Sequence, residues 1–205
     1  IDVMGDDLRV VNAARVSFDK QSEGELSEGD VKLIGYLAEH GHWTPFSHPV
    51  VTLRETVPIF VARQRFKHMV GFAYNEVSRR YVSDRPEIYR PESFRAAPQG
   101  SIKQGSGDTH PKSRFWLSEY DAAMQQLVDL YDDMIAAGVA PEQARMILPQ
   151  SMMTSYYVTG SLAAWARAYR QRAENHAQAE IQQLAHRWDA LIRPLFPVSW
   201  EALTK

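Results

Sequence analysis

The densest concentration of groups able to do chemistry lies between residues 63 and 81. Helical spacing over Arg63–Met69 sets Arg63 beside Lys67 and Gln64 beside His68 as i, i+4 pairs, so one helix face carries several donors near its C-terminal end. The run Asn75-Glu76-Val77-Ser78-Arg79-Arg80-Tyr81 then packs two guanidiniums, a carboxylate, an amide and two hydroxyls into seven residues. Arginine grips phosphate oxygens bidentately while a carboxylate and a hydroxyl orient the remainder, so the cluster suits an anionic, hydrogen-bonding ligand. A solvated helix face followed by a salt-bridged surface turn accounts for the same residues on composition alone. Ser78 has no histidine or other base at a spacing that would activate it, and its hydroxyl reads as a hydrogen-bond partner rather than a nucleophile.

Positioning these groups falls to a helix-rich chain. The spacing predicts a short helix over 7–17 and a second one opened by Ser27 and Asp30, with Val31, Ile34 and Leu37 on one face and Gly41 as its stop. Partial alternation over 49–57 (Val51, Leu53, Glu55, Val57) predicts a strand, and Pro58 suits the first turn of a helix running to about Met69. Residues 83–111 turn to Pro, Gly, Ser and charge and read as a long loop, functional or mobile. Helical periodicity returns over 113–137, closed by Gly138, and over 141–148, stopped by Pro149. Two more helices are expected over about 161–173 and 175–192, before Pro194 and Pro197 break the pattern. Strands are scarcer than helices. The text opens inside what reads like a strand, so a few native residues are expected to precede Ile1.

A length of 205 residues with 44% hydrophobic content supports one sizeable core, and a single domain over 1–205 is expected. Net charge is −2, from 23 basic and 25 acidic residues, which argues against a general nucleic-acid or membrane-surface binder. Local charge matters more: Arg63, Arg65, Lys67, Arg79 and Arg80, then Arg167, Arg170 and Arg172, gather as a pocket for a small polyanion requires. Cysteine is absent, which excludes disulfides, Cys-based metal sites and a thiolate nucleophile. No apolar run reaches the roughly 18 residues of a membrane span, and Ile1–Asp7 lacks signal-peptide character, so a soluble, cytoplasmic protein is expected.

Set together, the motifs resemble those of the flavin-dependent thymidylate synthases. That family carries Arg-His-Arg, seven residues, then Ser, embedded in Ala-Arg-Gln-x-x-Arg-His-Arg and Asn-Glu-x-Ser-x-Arg-Tyr. This chain has Ala62-Arg63-Gln64-Arg65-Phe66-Lys67-His68-Met69 and then Asn75–Tyr81. Asp2–Gly5, Ala13–Phe18, His42–His48 and His176-Ala177-Gln178 with Glu180-Ile181 are similar to further family segments in family order. Lys67-His68-Met69 departs from the common triplet, and eight residues rather than seven separate Met69 from Ser78. Lys67 keeps a charge without the planar fork, and Met69 carries none.

The resemblance implies an α+β fold of the thymidylate synthase-complementing-protein type, helix-rich with a small, mostly antiparallel sheet flanked by helices. It implies reductive methylation of dUMP at C5 to dTMP, with methylenetetrahydrofolate giving the carbon and FAD reduced by NADPH giving the hydride. Arg172 would be the catalytic cation that stabilises negative charge developing on the pyrimidine. dUMP binding would fall to Gln64, Lys67, Glu76, Ser78, Arg79, Arg80, Arg145 and Arg172. FAD binding would fall to Ser17, His42, Thr44, Lys67, His68, Met69, Glu76, Ser161, Arg167 and His176, with no metal. A homotetramer with shared active sites is implied, compatible with apolar faces such as Trp116, Tyr120 and Leu127. The missing cysteine agrees, because the other thymidylate synthase class needs a thiolate to attack C6. Two rivals remain: a nucleotide-binding flavoprotein with a different redox reaction, and a non-catalytic nucleic-acid module.

Overall fold

A computed structural model describes residues 1–99 and 105–205 of the chain. Strand β1 (Asp2–Met4) turns at Gly5, φ +83°, into α1 (Asp7–Arg15), whose N-cap Asp6 accepts the Arg9 N–H. Helix α2 (Glu28–Glu39) starts as the sequence predicts. Ser27 Oγ accepts from the Asp30 N–H and the Asp30 carboxylate accepts from the Ser27 N–H, a reciprocal capping box. Strand β2 (Val50–Pro58) buries Val51, Leu53, Glu55 and Val57 on one face, the predicted alternation.

The expected helix from Pro58 to Met69 is shorter: α3 spans Ile59–Arg65, and Pro58 is the last residue of β2. Pairing sets its start. The N–H groups of Ile59 and Phe60 donate to the carbonyls of Met152 and Gln150, which holds the chain extended up to that point. Strand β3 (Phe72–Glu76) follows, then α4 (Ser113–Ala136), α5 (Pro141–Ala144), β4 (Met153–Ser161), α6 (Leu162–Arg172), α7 (Ala179–Ile192) and α8 (Pro197–Thr204). The four strands form one sheet in the order β1-β2-β4-β3, with Met4 opposite Val50 and Asp2 opposite Thr52 in the antiparallel β1–β2 pair. The fold is α+β with a small antiparallel sheet, as the sequence implies. β3, β4 and α8 are additions to the sequence reading.

Contacts divide the chain into two compact units: Ile1–Arg54, Lys67–Tyr74 and Tyr157–Lys205 form the first, Glu55–Phe66 and Asn75–Tyr156 the second. In the first unit, α6 packs on α7 and α8 around Trp165, Trp188 and Trp200, all essentially buried, with Trp165 and Trp188 edge to face at 5.5 Å. Trp165 Nε1 donates to the Val51 carbonyl at 3.1 Å, which satisfies the one polar atom of that buried ring. In the second unit, α4 packs on α5, and the predicted loop over 83–111 is pinned along α4. Arg90 donates from two nitrogens to Asp121, Arg85 reaches Asp129 and Asp132, and Tyr120 donates to the Tyr89 carbonyl. The part of that loop at 100–104 lies outside the described residues.

Pro197, expected to end helical structure, instead opens α8 at its first position, where a missing N–H costs nothing. The cap comes from the far end of the chain: both Asp7 carboxylate oxygens accept at 2.9 Å, one from the Ser199 N–H and the other from the Val198 N–H. Asp7 is buried, so this is a charge-assisted bond pair in a dry place. Replacing Asp7 by Ala is expected to cost about 1–3 kcal/mol. Thermal unfolding should then show a midpoint several degrees lower, whereas an unchanged midpoint would show that the cap contributes nothing.

Candidate functional site

Segment 68–72 lies antiparallel along α6, within the first unit. At the N-terminal end of the helix, the Ser161 N–H donates to the Gly71 carbonyl at 3.1 Å. Gly71 has φ +78°, and a Cβ there would stand 2.9 Å from the Ala164 Cβ, so only glycine allows this approach. One turn on, Arg167 donates to the Val70 carbonyl. At the C-terminal end, Arg172 Nε donates to His68 Nε2 at 2.8 Å. The Phe72 ring packs edge-on against Trp165 at 5.0 Å, and Tyr74 OH donates to the His68 carbonyl at 2.7 Å. His68 is 6% exposed between exposed Lys67 and 69% exposed Met69. The predicted residues His68 and Arg172, 104 positions apart, are thus in contact. Ser161 Oγ accepts from the Ala164 N–H as the N-cap of α6, and His176 is exposed in the turn between α6 and α7.

Ser17, His42 and Thr44 line a second feature of the same unit, a cleft of about 1040 Å³ whose walls also include Arg15, Lys20 and Trp43. All three predicted residues are exposed to it, and Trp43 offers a flat ring 65% exposed. Arg15 and Lys20 were not singled out by sequence reasoning, although Arg15 sits in the motif-like segment 13–18; its position at the end of a helix gave no sign of a cleft. Arg15 Nη2 pairs with Asp30 Oδ1 at 2.5 Å, while Arg15 Nε is buried without a partner among the described residues. The Ser27 hydroxyl, and after it the Ser27 N–H and Arg15, hold the Asp30 carboxyl below its usual 3.8 against the opposing effect of burial. A cleft of this size with cations, imidazole, hydroxyls and an aromatic face fits a large anionic heteroaromatic cofactor.

The second unit carries the other predicted cluster. Thr154 Oγ1 donates to Glu76 Oε1 at 2.6 Å, and Ser78 Oγ accepts from both the N–H and Nε of Arg80 at 3.3 Å. Ser78 therefore serves as an acceptor in a tight turn. Arg79 donates to the Asp84 carbonyl, and the Arg80 guanidinium stands 5.1 Å from the Tyr81 ring centroid. Gln64 is half-buried on α3, and exposed Arg145 follows α5 with its Nε on the Glu142 carbonyl at 3.3 Å. Arg65, counted by sequence among the cations of an anion pocket, is fully buried against Glu55 instead. Of the predicted flavin residues, all but Glu76 belong to the first unit; of the predicted dUMP residues, all but Lys67 and Arg172 belong to the second. Among the described residues no group of three or more His, Asp or Glu is placed to hold a metal ion, and no helix is long and apolar enough to cross a membrane.

The family model described as thymidylate synthase complementing protein matches residues 1–198. A flavin-dependent thymidylate synthase of Thermosipho africanus is 38% identical over all of this chain and 89% of its own length. One from Thermotoga neapolitana is 37% identical with the same coverage, and one from Thermus thermophilus is 34% identical over 98% of this chain and 73% of its own length. Among solved structures, a UMP/dUMP methylase, PolB of Streptomyces cacaoi, bound with 5-Br dUMP, superposes with a TM-score of 0.87 at 26% identity, covering 100% of this chain and 92% of that one.

The Asp30 carboxylate, held by Ser27 and by Arg15 of the cleft wall, makes a pH prediction. Because the folded Asp30 carboxyl titrates below its usual 3.8, its contribution is fully present above that value and is lost as pH falls through the lower folded value. Asp30→Asn should therefore be less stable at neutral pH and show a shallower loss of stability on acidification below about pH 4. Denaturant unfolding across pH 2.5–7, roughly, measures both; parallel curves for the two proteins would refute the assignment.

Proposed function

The chain belongs to the thymidylate synthase complementing protein family, and from that premise we propose that it is a flavin-dependent thymidylate synthase, converting dUMP to dTMP by reductive methylation at C5. Methylenetetrahydrofolate supplies the carbon. FAD, reduced by NADPH, supplies the hydride when bound. The observation that carries the reading is the Arg172 guanidinium held at 2.8 Å on a buried imidazole, a fixed cation on a rigid helix end.

Uracil C5 is a weak carbon nucleophile, and it becomes a competent one only when the ring is polarised toward an anion with negative charge near N3 and O2. Arg172, beside that edge, stabilises the charge without reorganising when it forms. Gln64, Lys67, Glu76, Ser78, Arg79, Arg80 and Arg145 bind dUMP, the arginines on its phosphate and the Glu76 and Ser78 oxygens on polar edges. Ser17, His42 and Thr44 in the cleft hold FAD together with Lys67, His68, Met69, Glu76, Ser161, Arg167 and His176. Arg15 Nε, without a partner among the described residues, and the open Trp43 face support a flavin nucleotide there. The chain acts as a single catalytic domain in the cytoplasm and as a homotetramer with shared sites; exposed Phe115, Trp116 and Leu130 on α4 favour association.

Purified protein should bind FAD, with its yellow absorbance band, and form dTMP from dUMP, methylenetetrahydrofolate and NADPH. No flavin uptake at saturating FAD together with no dTMP would sink the reading. Since PolB is described as a UMP/dUMP methylase, UMP belongs in the same assay as a competing substrate. Arg172→Ala should lower turnover by roughly 100-fold or more while weakening dUMP binding far less. Equal losses in both would reduce Arg172 to a binder.

A further inference from the structure

We infer that His68 is the positioning residue for Arg172, its Nε2 lone pair setting the plane in which the guanidinium is presented; the inference rests on the role of Arg172 proposed above. Arg172 is the last residue of α6, where unpaired helix carbonyls offer a long, flexible cation several competing acceptors. Ordering such a side chain costs rotamer entropy. One well-placed acceptor decides among the alternatives. His68 Nε2 at 2.8 Å is that acceptor, and because Arg always donates, the ring is neutral with its proton on Nδ1. Binding Nε fixes the whole planar group, since the Nη atoms project from the other end of the same plane.

An acceptor positions its partner only if it is itself immobile. The His68 ring is 6% exposed, its carbonyl is tied to Tyr74, and the residues after it are fastened to α6 at Val70, Gly71 and Phe72. Each fastening uses the same helix that ends in Arg172. Lys67 and Met69 turn outward, so of the triplet only His68 is directed at the helix. This gives the imidazole a task on Arg172 itself, separate from any contact that residues 67–69 make with the flavin.

The test compares His68→Leu, which keeps bulk and removes the acceptor, with His68→Gln, whose Oε1 restores an acceptor near the Nε2 position, and His68→Asn, whose shorter side chain does not reach it. Each is read as kcat for dTMP formation, dUMP affinity, FAD affinity and thermal midpoint. His68→Leu should lower kcat roughly 10- to 100-fold while dUMP affinity changes less than about threefold, and His68→Gln should recover most of the loss where His68→Asn does not. The double variant His68→Leu/Arg172→Ala should be no slower than Arg172→Ala alone, because a residue acting through Arg172 has nothing left to act on. Additive losses in the double variant, or His68→Gln as slow as His68→Asn, would overturn the inference. Should His68→Leu fail to fold, the Gln–Asn comparison still decides. Wild-type protein that forms no dTMP would overturn the parent reading, and this inference with it; active wild type with additive variants overturns the inference alone.

Discussion

Glu55 and Arg65 form an ion pair that has almost no contact with water: Arg65 is fully buried and Glu55 is 4% exposed. Removing two charges from solvent costs several kcal/mol per ion, so the pair persists only where geometry and extra hydrogen bonds compensate. Tyr156 supplies one, donating to Glu55 Oε2 at 2.6 Å, and its ring meets Phe66 edge-on at 4.8 Å. The pair joins the end of α3 to β2, and the tyrosine adds β4. Arg65 is the last residue of α3, so the pair anchors the end of the helix that carries Gln64 and leads into the Lys67–Met69 triplet. Such a pair contributes specificity more than stability, since a slipped register would leave either charge stranded.

The strip along α6 works by the opposite means, through the absence of side chains. Gly71 lies against Ala164, and a Cβ at Gly160 would stand 2.3 Å from the Phe72 ring. Two glycines thus let a chain segment and an aromatic ring settle closely enough for His68 to reach Arg172. Close approach of this kind also makes the arrangement brittle, because packed interiors yield only in discrete steps.

How much of this was legible depended on whether the cause was local. The Ser27–Asp30 capping box was readable because both partners lie within one turn, and the β2 alternation because its period is unbroken even with Glu55 in it. β4 escaped because its buried face reads Thr154, Tyr156, Val158, Gly160, too mixed in polarity to register as alternation. α8 escaped because its cap is a residue 191 positions away, and Pro197 without that cap looks like a stop. The motif residues named themselves by type, but that Arg172 meets His68 could not be read from spacing, nor that Arg65 points inward. Resemblance proposes where the chemistry lies; the fold shows which of those side chains touch.

The union of Asp7 with the first turn of α8 bears on how the chain comes into being. The first unit is assembled from three stretches, residues 1–54, 67–74 and 157–205, whereas the second needs only residues 55–66 and 75–156. During synthesis the second unit therefore has its strands and helices available while the first still lacks α6, α7, α8 and three tryptophans. Residues 1–54 stay incompletely covered at Val10, Val11, Ile34 and Phe46 until α6 and α8 have been made. Closure of such distant contacts is slow. Residues 1–54 are thus made before the partners that bury them, and in that interval they are the part of the first unit most open to aggregation.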